Sequence, residues 1–95
     1  MVYELTVILR ITDAVETLKD WVKKNLQKNG FTILSEDQWD VKKFAYIIDG
    51  ENEGYYLFMN IEAPPESVKK VIADFRINRD ILRYLFIKDE KKKSA

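Results

Sequence analysis

The sequence contains no cysteine and no histidine, and its basic and acidic residues balance at sixteen of each. Without cysteine there is no disulfide framework, no thiolate metal site and no cysteine nucleophile. Without histidine the chain lacks the usual general base near neutral pH and the commonest metal ligand. A net charge of zero argues against a general polyanion binder, which carries an excess of positive charge. We therefore expect no enzyme activity, no cofactor and no metal ion.

Long apolar runs are also missing, and none approaches the roughly 18 residues of a membrane span. The first residues, MVYELTV, have neither the basic region nor the apolar stretch of a signal peptide. A length of 95 residues, 46% of them hydrophobic, suits a single domain. We predict a cytoplasmic domain over residues 1–88, with no membrane partner, and a charged flexible tail over residues 89–95.

The charges are unevenly distributed along the chain. Residues 36–66 hold eight acidic and two basic residues, a net charge of −6. Residues 76–95 hold seven basic and three acidic residues, a net charge of +4. The chain is polarised end to end, which is more informative about partners than its total charge.

Hydrophobic periodicity predicts the element order β-α-β-β-α-β. Strands are predicted at residues 2–11, 31–48, 55–62 and 81–88, and helices at residues 14–29 and 65–78. The second strand bends around residues 39–41, and two short strands fit that stretch nearly as well. Right-handed crossovers then give a ferredoxin-like split β-α-β fold of the α+β class: a four-stranded antiparallel sheet with two helices on one face. All three glycines, Gly30, Gly50 and Gly54, are assigned to turns, which leaves no phosphate-binding glycine loop. Gly30 is predicted to end the first helix in the left-handed conformation.

The sheet face opposite the helices has no element of the chain to cover it. Alternation assigns to the helix side Leu5, Val7, Leu9, Leu57, Met59, Ile61, Leu85 and Ile87. A contiguous apolar patch on the other side usually marks a contact surface. The predicted protein-partner face there comprises Ile8, Arg10, Tyr56, Phe58, Asn60, Tyr84 and Phe86, with Leu82 beside it. The alternatives are that long side chains and the tail cover the patch, or that the last strand is shifted by one residue.

Basic residues flank this face. Together with its aromatic residues they suit nucleic acid, because guanidinium groups bind phosphates and aromatic rings stack on bases. The predicted nucleic-acid contacts are Lys42, Lys43, Arg76, Arg79 and Arg83. An alternative for Arg76 and Arg79 is that they only complement the dipole of the second helix. The acidic residues Glu36, Asp37 and Asp40 are interpreted as a solvated bend rather than a cation site.

Three stretches, taken together and in order, resemble the bacterial small-subunit ribosomal protein six family. They are residues 44–48 (FAYII), 54–64 (GYYLFMNIEAP) and 75–84 (FRINRDILRY), and the Tyr3-Glu4 opening is also similar. The resemblance implies the ferredoxin-like fold, a non-catalytic role in the ribosome, and binding to the central domain of small-subunit ribosomal RNA. It also implies pairing with small-subunit ribosomal protein eighteen, and a monomer when the chain is free.

The match departs from the family pattern ahead of residues 44–48. The family usually has a glycine and two basic residues there. In this chain Asp40 and Val41 precede Lys42 and Lys43, and the glycine is missing. RNA contact at the bend therefore depends on Lys42 and Lys43 alone, and the stretch from Arg76 to Arg83 matches better. The alternative function, from a different class, is a ferredoxin-like small-molecule-binding or dimerisation module that pairs two open faces.

Overall fold

The computed structural model describes residues 1–37 and 40–88. The elements in chain order are β1 (Val2–Leu9), α1 (Val15–Lys28), β2 (Thr32–Glu36), β3 (Asp40–Ile48), β4 (Glu51–Glu62), α2 (Pro65–Arg76) and β5 (Ile81–Lys88). All strand pairs among these residues are antiparallel: β1 lies between β4 and β5, and both β2 and β3 pair with the other edge of β4. This is the predicted α+β arrangement, with five strands rather than four in the described part of the chain.

The fifth strand arises because the predicted second strand is divided in two. Strand β2 pairs with the end of β4, from Met59 to Glu62, whereas β3 pairs with its beginning, from Glu51 to Tyr56. The two-strand alternative for this stretch is therefore the one observed. Trp39, at the predicted bend, lies outside the described residues, and so does the predicted tail at residues 89–95.

Helix α1 begins and ends near the predicted residues. The Ala14 amide donates a hydrogen bond to Thr12 Oγ1 at 3.1 Å, and the Val15 amide donates to the Thr12 carbonyl at 3.2 Å. These bonds satisfy two of the amides that a helix start leaves without a partner. After the last turn, Gly30 has a φ of +83°, the left-handed conformation predicted for it as the helix stop.

The β3–β4 hairpin is tighter than predicted. Asp49 and Gly50, with φ of +48° and +79°, form a two-residue turn between the paired residues Ile48 and Glu51. Strand β4 therefore starts at Glu51 rather than at residue 55, and the assignment of Gly54 to a turn is wrong. Gly54 lies within β4, where an added Cβ would be 2.6 Å from Phe44 Cζ and 2.7 Å from Ile8 Cγ2.

The core lies between the sheet and the two helices. The inward residues predicted for β1 and β4 are confirmed as buried: Leu5, Val7, Leu9, Leu57, Met59 and Ile61. The helices contribute the apolar side chains Leu18, Val22, Leu26, Val71 and Phe75. Because every second residue of these strands points inward, the residues between them form the opposite surface of the sheet, which is called the open face below.

The predicted phase of β5 is wrong. Ile81 pairs with Leu9, as expected for an inward residue, but Arg83 pairs with Ile8, so Leu82 is an extra residue in the ladder. Such a bulge turns every later side chain to the other side of the sheet. Leu85 and Ile87 therefore lie on the open face, 55% and 48% exposed.

Tyr84 and Phe86 consequently face the helices instead of the open face. The ring of Phe75 on α2 lies with its centroid 5.8 Å from that of Tyr84 and 6.3 Å from that of Phe86. Phe86 also meets Tyr3 edge to face at 6.2 Å. These two residues are half-buried against the core, and they do not belong to the predicted partner face.

Candidate binding face

The centre of the open face is built from alternate residues of β1 and β4. Register places Tyr56 opposite Ile8, Phe58 opposite Thr6, and Asn60 opposite Glu4. Ile8, Tyr56, Phe58 and Asn60 lie on this face, as the alternation predicts, and their contact with a protein partner stays a prediction. All four are half-buried, since no helix of the described chain covers this side of the sheet.

Aromatic rings cluster at the β3 side of the open face. The ring centroids of Phe44 and Tyr56 are 6.1 Å apart, and those of Tyr56 and Phe58 are 5.9 Å apart. The Lys42 ammonium lies 5.5 Å from the Tyr56 centroid and 5.7 Å from the Phe58 centroid. A cation within about 6 Å of a ring face is attracted by the ring's negative quadrupole. The cluster thus presents flat apolar surfaces beside a positive charge.

The far side of the open face comes from β5. There Arg83 is opposite Ile8, Leu85 is opposite Thr6, and Ile87 is opposite Glu4. Leu85 and Ile87 extend the apolar surface from β4 across β1, and the sequence analysis assigned both of them to the core. No local signal identifies the bulge at Leu82, which depends on pairing between residues more than 70 positions apart.

The five basic residues predicted to bind nucleic acid do not form one cluster. Lys42 and Arg83 both lie on the open face, but β4 and β1 separate their strands, a span of roughly 14 Å at ~4.8 Å per strand spacing. Arg76 ends α2, where its Nε donates a hydrogen bond to the Tyr84 hydroxyl at 3.1 Å. Lys43 on β3 and Arg79 in the α2–β5 loop are exposed.

Arg10, predicted to be part of the partner face, lies just beyond β1 and is held by acidic residues. Its guanidinium pairs with Asp49 at 2.6 Å, Glu51 at 3.0 Å and Asp80 at 3.6 Å. Only 23% of its side chain is exposed. The structure therefore gives Arg10 partners within the chain itself.

The opposite end of the open face is polar. A groove of about 600 Å³ is lined by Glu4, Leu5, Thr6, Asp37, Phe58, Met59 and Asn60. At its side, Asn60 Nδ2 donates a hydrogen bond to Ser35 Oγ at 2.9 Å, and the Asp37 amide donates to the Phe58 carbonyl at 2.8 Å. The open face thus runs from aromatic and basic at the β3–β4 hairpin to acidic and amide-bearing at the groove.

Among the side chains that the structure describes, no three acidic, histidine or cysteine groups lie close enough together to hold a metal ion. Glu36, one of the acidic residues at the predicted bend, instead forms an ion pair with Lys23 on α1 at 2.9 Å. Neither of the two helices described is long and apolar enough to cross a membrane.

This architecture defines a ferredoxin-like domain whose open face is suited to binding. The model of the ribosomal protein S6 family matches residues 2–88, so the chain belongs to that family. The predicted resemblance is confirmed. Membership makes the chain a structural protein of the small ribosomal subunit rather than an enzyme.

Sequence relatives agree with this assignment. The chain is 33% identical over 88 residues to small ribosomal subunit protein bS6 of Dehalococcoides mccartyi, covering 90% of this chain and 81% of the relative. It is 37% identical over 94 residues to bS6 of Campylobacter hominis, covering 96% of this chain and 65% of that relative. For bS6 of Ehrlichia chaffeensis the identity is 38% over 77 residues, covering 81% and 71%.

Solved structures confirm the fold. The crystal structure of 30S ribosomal protein S6 from Thermotoga maritima superposes with a TM-score of 0.85 at 23% identity, covering 93% of this chain and 86% of that one. The C-terminal domain of the MgtC protein from Mycobacterium tuberculosis gives a TM-score of 0.61 at 11% identity, covering 99% and 93%. At these identities the similarity concerns the fold alone.

Proposed function

We propose that this chain binds the central domain of small-subunit ribosomal RNA together with small-subunit ribosomal protein eighteen, in the cytoplasm. The observation that carries the proposal is the open face, where Tyr56, Phe58, Ile8, Leu85 and Ile87 form an apolar surface that no described element covers. An antiparallel sheet that only faces water has polar residues on its outer side. A protein partner on this surface explains the apolar composition.

RNA binding is assigned to the basic residues around that surface. Arg83 and Lys42 lie on the open face itself, and Arg79 is exposed in the loop that precedes β5. Guanidinium groups bind phosphate oxygens with two parallel hydrogen bonds, which favours Arg79 and Arg83 as phosphate contacts. Arg76 is a weaker candidate, because its Nε already donates to Tyr84.

The test is assembly from purified parts: this chain, ribosomal protein eighteen and a transcript of the rRNA central domain. We expect the three to form a complex, and the chain alone to sediment as a monomer in dilute solution. Arg79→Ala and Arg83→Ala should each reduce the slope of log affinity against log salt by roughly 0.9, the value for one phosphate contact on duplex nucleic acid. Lys69→Ala, which removes an exposed lysine on α2, should leave the slope unchanged.

Two outcomes would contradict the proposal as a whole, and a third would contradict its RNA-binding residues. If the three components do not associate, this chain does not act by the proposed joint binding. A stable dimer of the chain alone that ribosomal protein eighteen cannot dissociate would favour the dimerisation module instead. Unchanged salt slopes in both arginine variants would remove Arg79 and Arg83 from the RNA-binding set.

A further inference from the structure

Arg10 forms ion pairs with the carboxylates of three different residues. Its three guanidinium nitrogens each pair with a different carboxylate: Nη2 with Asp49, Nη1 with Glu51 and Nε with Asp80. The planar fork of arginine presents donors in several fixed directions, whereas the ammonium of lysine is a single point of charge. The role that Arg10 plays here therefore requires arginine.

The partners of Arg10 come from two segments that are far apart in sequence. Asp49 and Glu51 belong to the β3–β4 hairpin, and Asp80 belongs to the α2–β5 loop. Backbone carbonyls of the loop strengthen its contact with Arg10. The Arg10 amide donates a hydrogen bond to the Asp80 carbonyl at 2.7 Å, and Arg10 Nη2 donates to the Arg79 carbonyl at 3.3 Å. Arg10 thus joins the hairpin to the backbone of the loop that carries Arg79.

Direct phosphate binding by Arg10 itself is disfavoured. Three carboxylates within 3.6 Å of its guanidinium give the group a net charge of −2, which repels an anion. Most of its side chain is also shielded from solvent. A contribution of Arg10 to RNA binding must therefore act through the residues that it holds.

We infer that Arg10 is a positioning residue for RNA binding, which orients the loop bearing Arg79 relative to the hairpin bearing Lys42 and Lys43. The inference rests on the proposed function. Whether an arginine side chain reaches a phosphate depends on the position of its backbone. The backbone carbonyl of Arg79 accepts a hydrogen bond from Arg10. Losing Arg10 should therefore have the same consequence for RNA affinity as losing the Arg79 side chain.

A double-mutant cycle tests this relationship. Affinity for the rRNA central-domain transcript is measured at 0.1 M salt, with ribosomal protein eighteen present, for the unmodified chain, Arg10→Ala, Arg79→Ala and the double variant. A phosphate contact with a salt slope of ~0.9 contributes about eightfold at this concentration. We expect each single variant to bind about eightfold more weakly, and the double variant to be no weaker than either.

Two further variants control for charge and folding. Arg10→Lys keeps the charge but loses the fork, so it should behave like Arg10→Ala, and it replaces Arg10→Ala in the cycle if that variant fails to fold. Lys69→Ala loses one exposed charge on α2, and its affinity should stay within twofold of the unmodified chain. Thermal denaturation of every variant verifies that the measured protein is folded.

The outcomes separate this inference from the proposed function. An unmodified chain that does not bind the RNA refutes the proposed function. Normal binding by Arg10→Ala, or by Arg79→Ala, overturns the inference alone. A roughly 64-fold loss in the double variant would show independent contributions, as expected if Arg10 touched RNA itself, and would also overturn it.

Discussion

The ring of Phe86 on β5 stacks against the ring of Phe75 on α2, with centroids 6.3 Å apart and planes 19° apart. This contact places Phe86 on the helix side of the sheet and Leu85, its neighbour, on the open face. Offset-stacked aromatic pairs stabilise by about 0.5–1.5 kcal/mol beyond the area they bury. The phase of β5 therefore affects both the stability of the domain and the composition of its binding face.

The first prediction compares these two neighbours. Phe86→Ala should lower the free energy of unfolding by about 2–3 kcal/mol, less than the 3–5 kcal/mol of a fully buried phenylalanine, because Phe86 is half-buried. Leu85→Ala should change it by no more than about 0.5 kcal/mol. Urea denaturation of both variants provides the measurement. The reverse order of stabilities would mean that β5 has no bulge at Leu82.

A second prediction concerns the open face in β4. Leu57→Ala, which opens a cavity in the core, should destabilise the fold by about 2–5 kcal/mol. Phe58→Ser should cost about 1 kcal/mol, the order of one aromatic pair, since its ring contacts Tyr56 on the open face. In the ternary assembly, Phe58→Ser should weaken binding by about 2 kcal/mol, or roughly thirtyfold, as expected for a buried aromatic anchor.

Both stability and binding have to be measured for Phe58→Ser. If this variant unfolds as readily as Leu57→Ala, Phe58 supports the core rather than a partner surface. If it folds normally and still binds protein eighteen and RNA with full affinity, the open face is not the interface.

The third prediction concerns the close packing above Gly54. Gly54→Ala should destabilise the domain by about 1–3 kcal/mol, because the new methyl group would overlap Phe44 and the stiff, β-branched Ile8. In an Ile8→Ala background the same change should cost less, since one of the overlapping atoms is gone. An Ile8→Val background is the matched control, because valine keeps the overlapping Cγ2. Thermal melts of the six proteins show whether the two positions couple.

The fourth prediction concerns a polar contact between the two helices. The Asn25 amide on α1 donates to Asp74 on α2 at 2.9 Å, and the Lys70 ammonium donates to the same carboxylate at 2.7 Å. These hydrogen bonds, first from Lys70 and then from Asn25, hold the pKa of Asp74 below its ordinary value of 3.8. The folded state therefore favours the ionised carboxylate more than the unfolded chain does.

The sign of the pH dependence follows from this lowered pKa. Asp74 contributes its full stabilisation above about pH 4, and the contribution disappears as the pH falls through the folded-state pKa. Asp74→Asn should cost about 1–3 kcal/mol at pH 7, and the difference from the unmodified chain should shrink at pH 2. Asp20→Asn, at an exposed position of α1, is the control. A difference that stays constant between the two pH values would contradict the assignment.

Local sequence patterns were sufficient for both helices and for the part of the interior that β1 and β4 supply. The alternation around Val7 and Leu57 predicted their burial correctly, because a strand with a regular pleat sends every second side chain to the same side. The end of α1 at Gly30 could also be predicted from the local sequence, since a position with positive φ beyond the last helical turn strongly favours glycine. The family resemblance, carried by residues 44–84, also needed no coordinates.

Pairing between distant segments decided the rest. The bulge at Leu82 exists only in relation to β1, and Gly54 is required only because Ile8 and Phe44 close over it. The partners of Arg10 are 39 to 70 residues away in sequence. Periodicity within one segment determines which residues share a side of that segment, so it determined the helices and the core residues of β1 and β4. The side of the sheet that β5 presents after its bulge depends on its pairing with β1, and the carboxylates that meet Arg10 come from distant segments of the chain. Only the tertiary structure therefore decided the composition of the binding face.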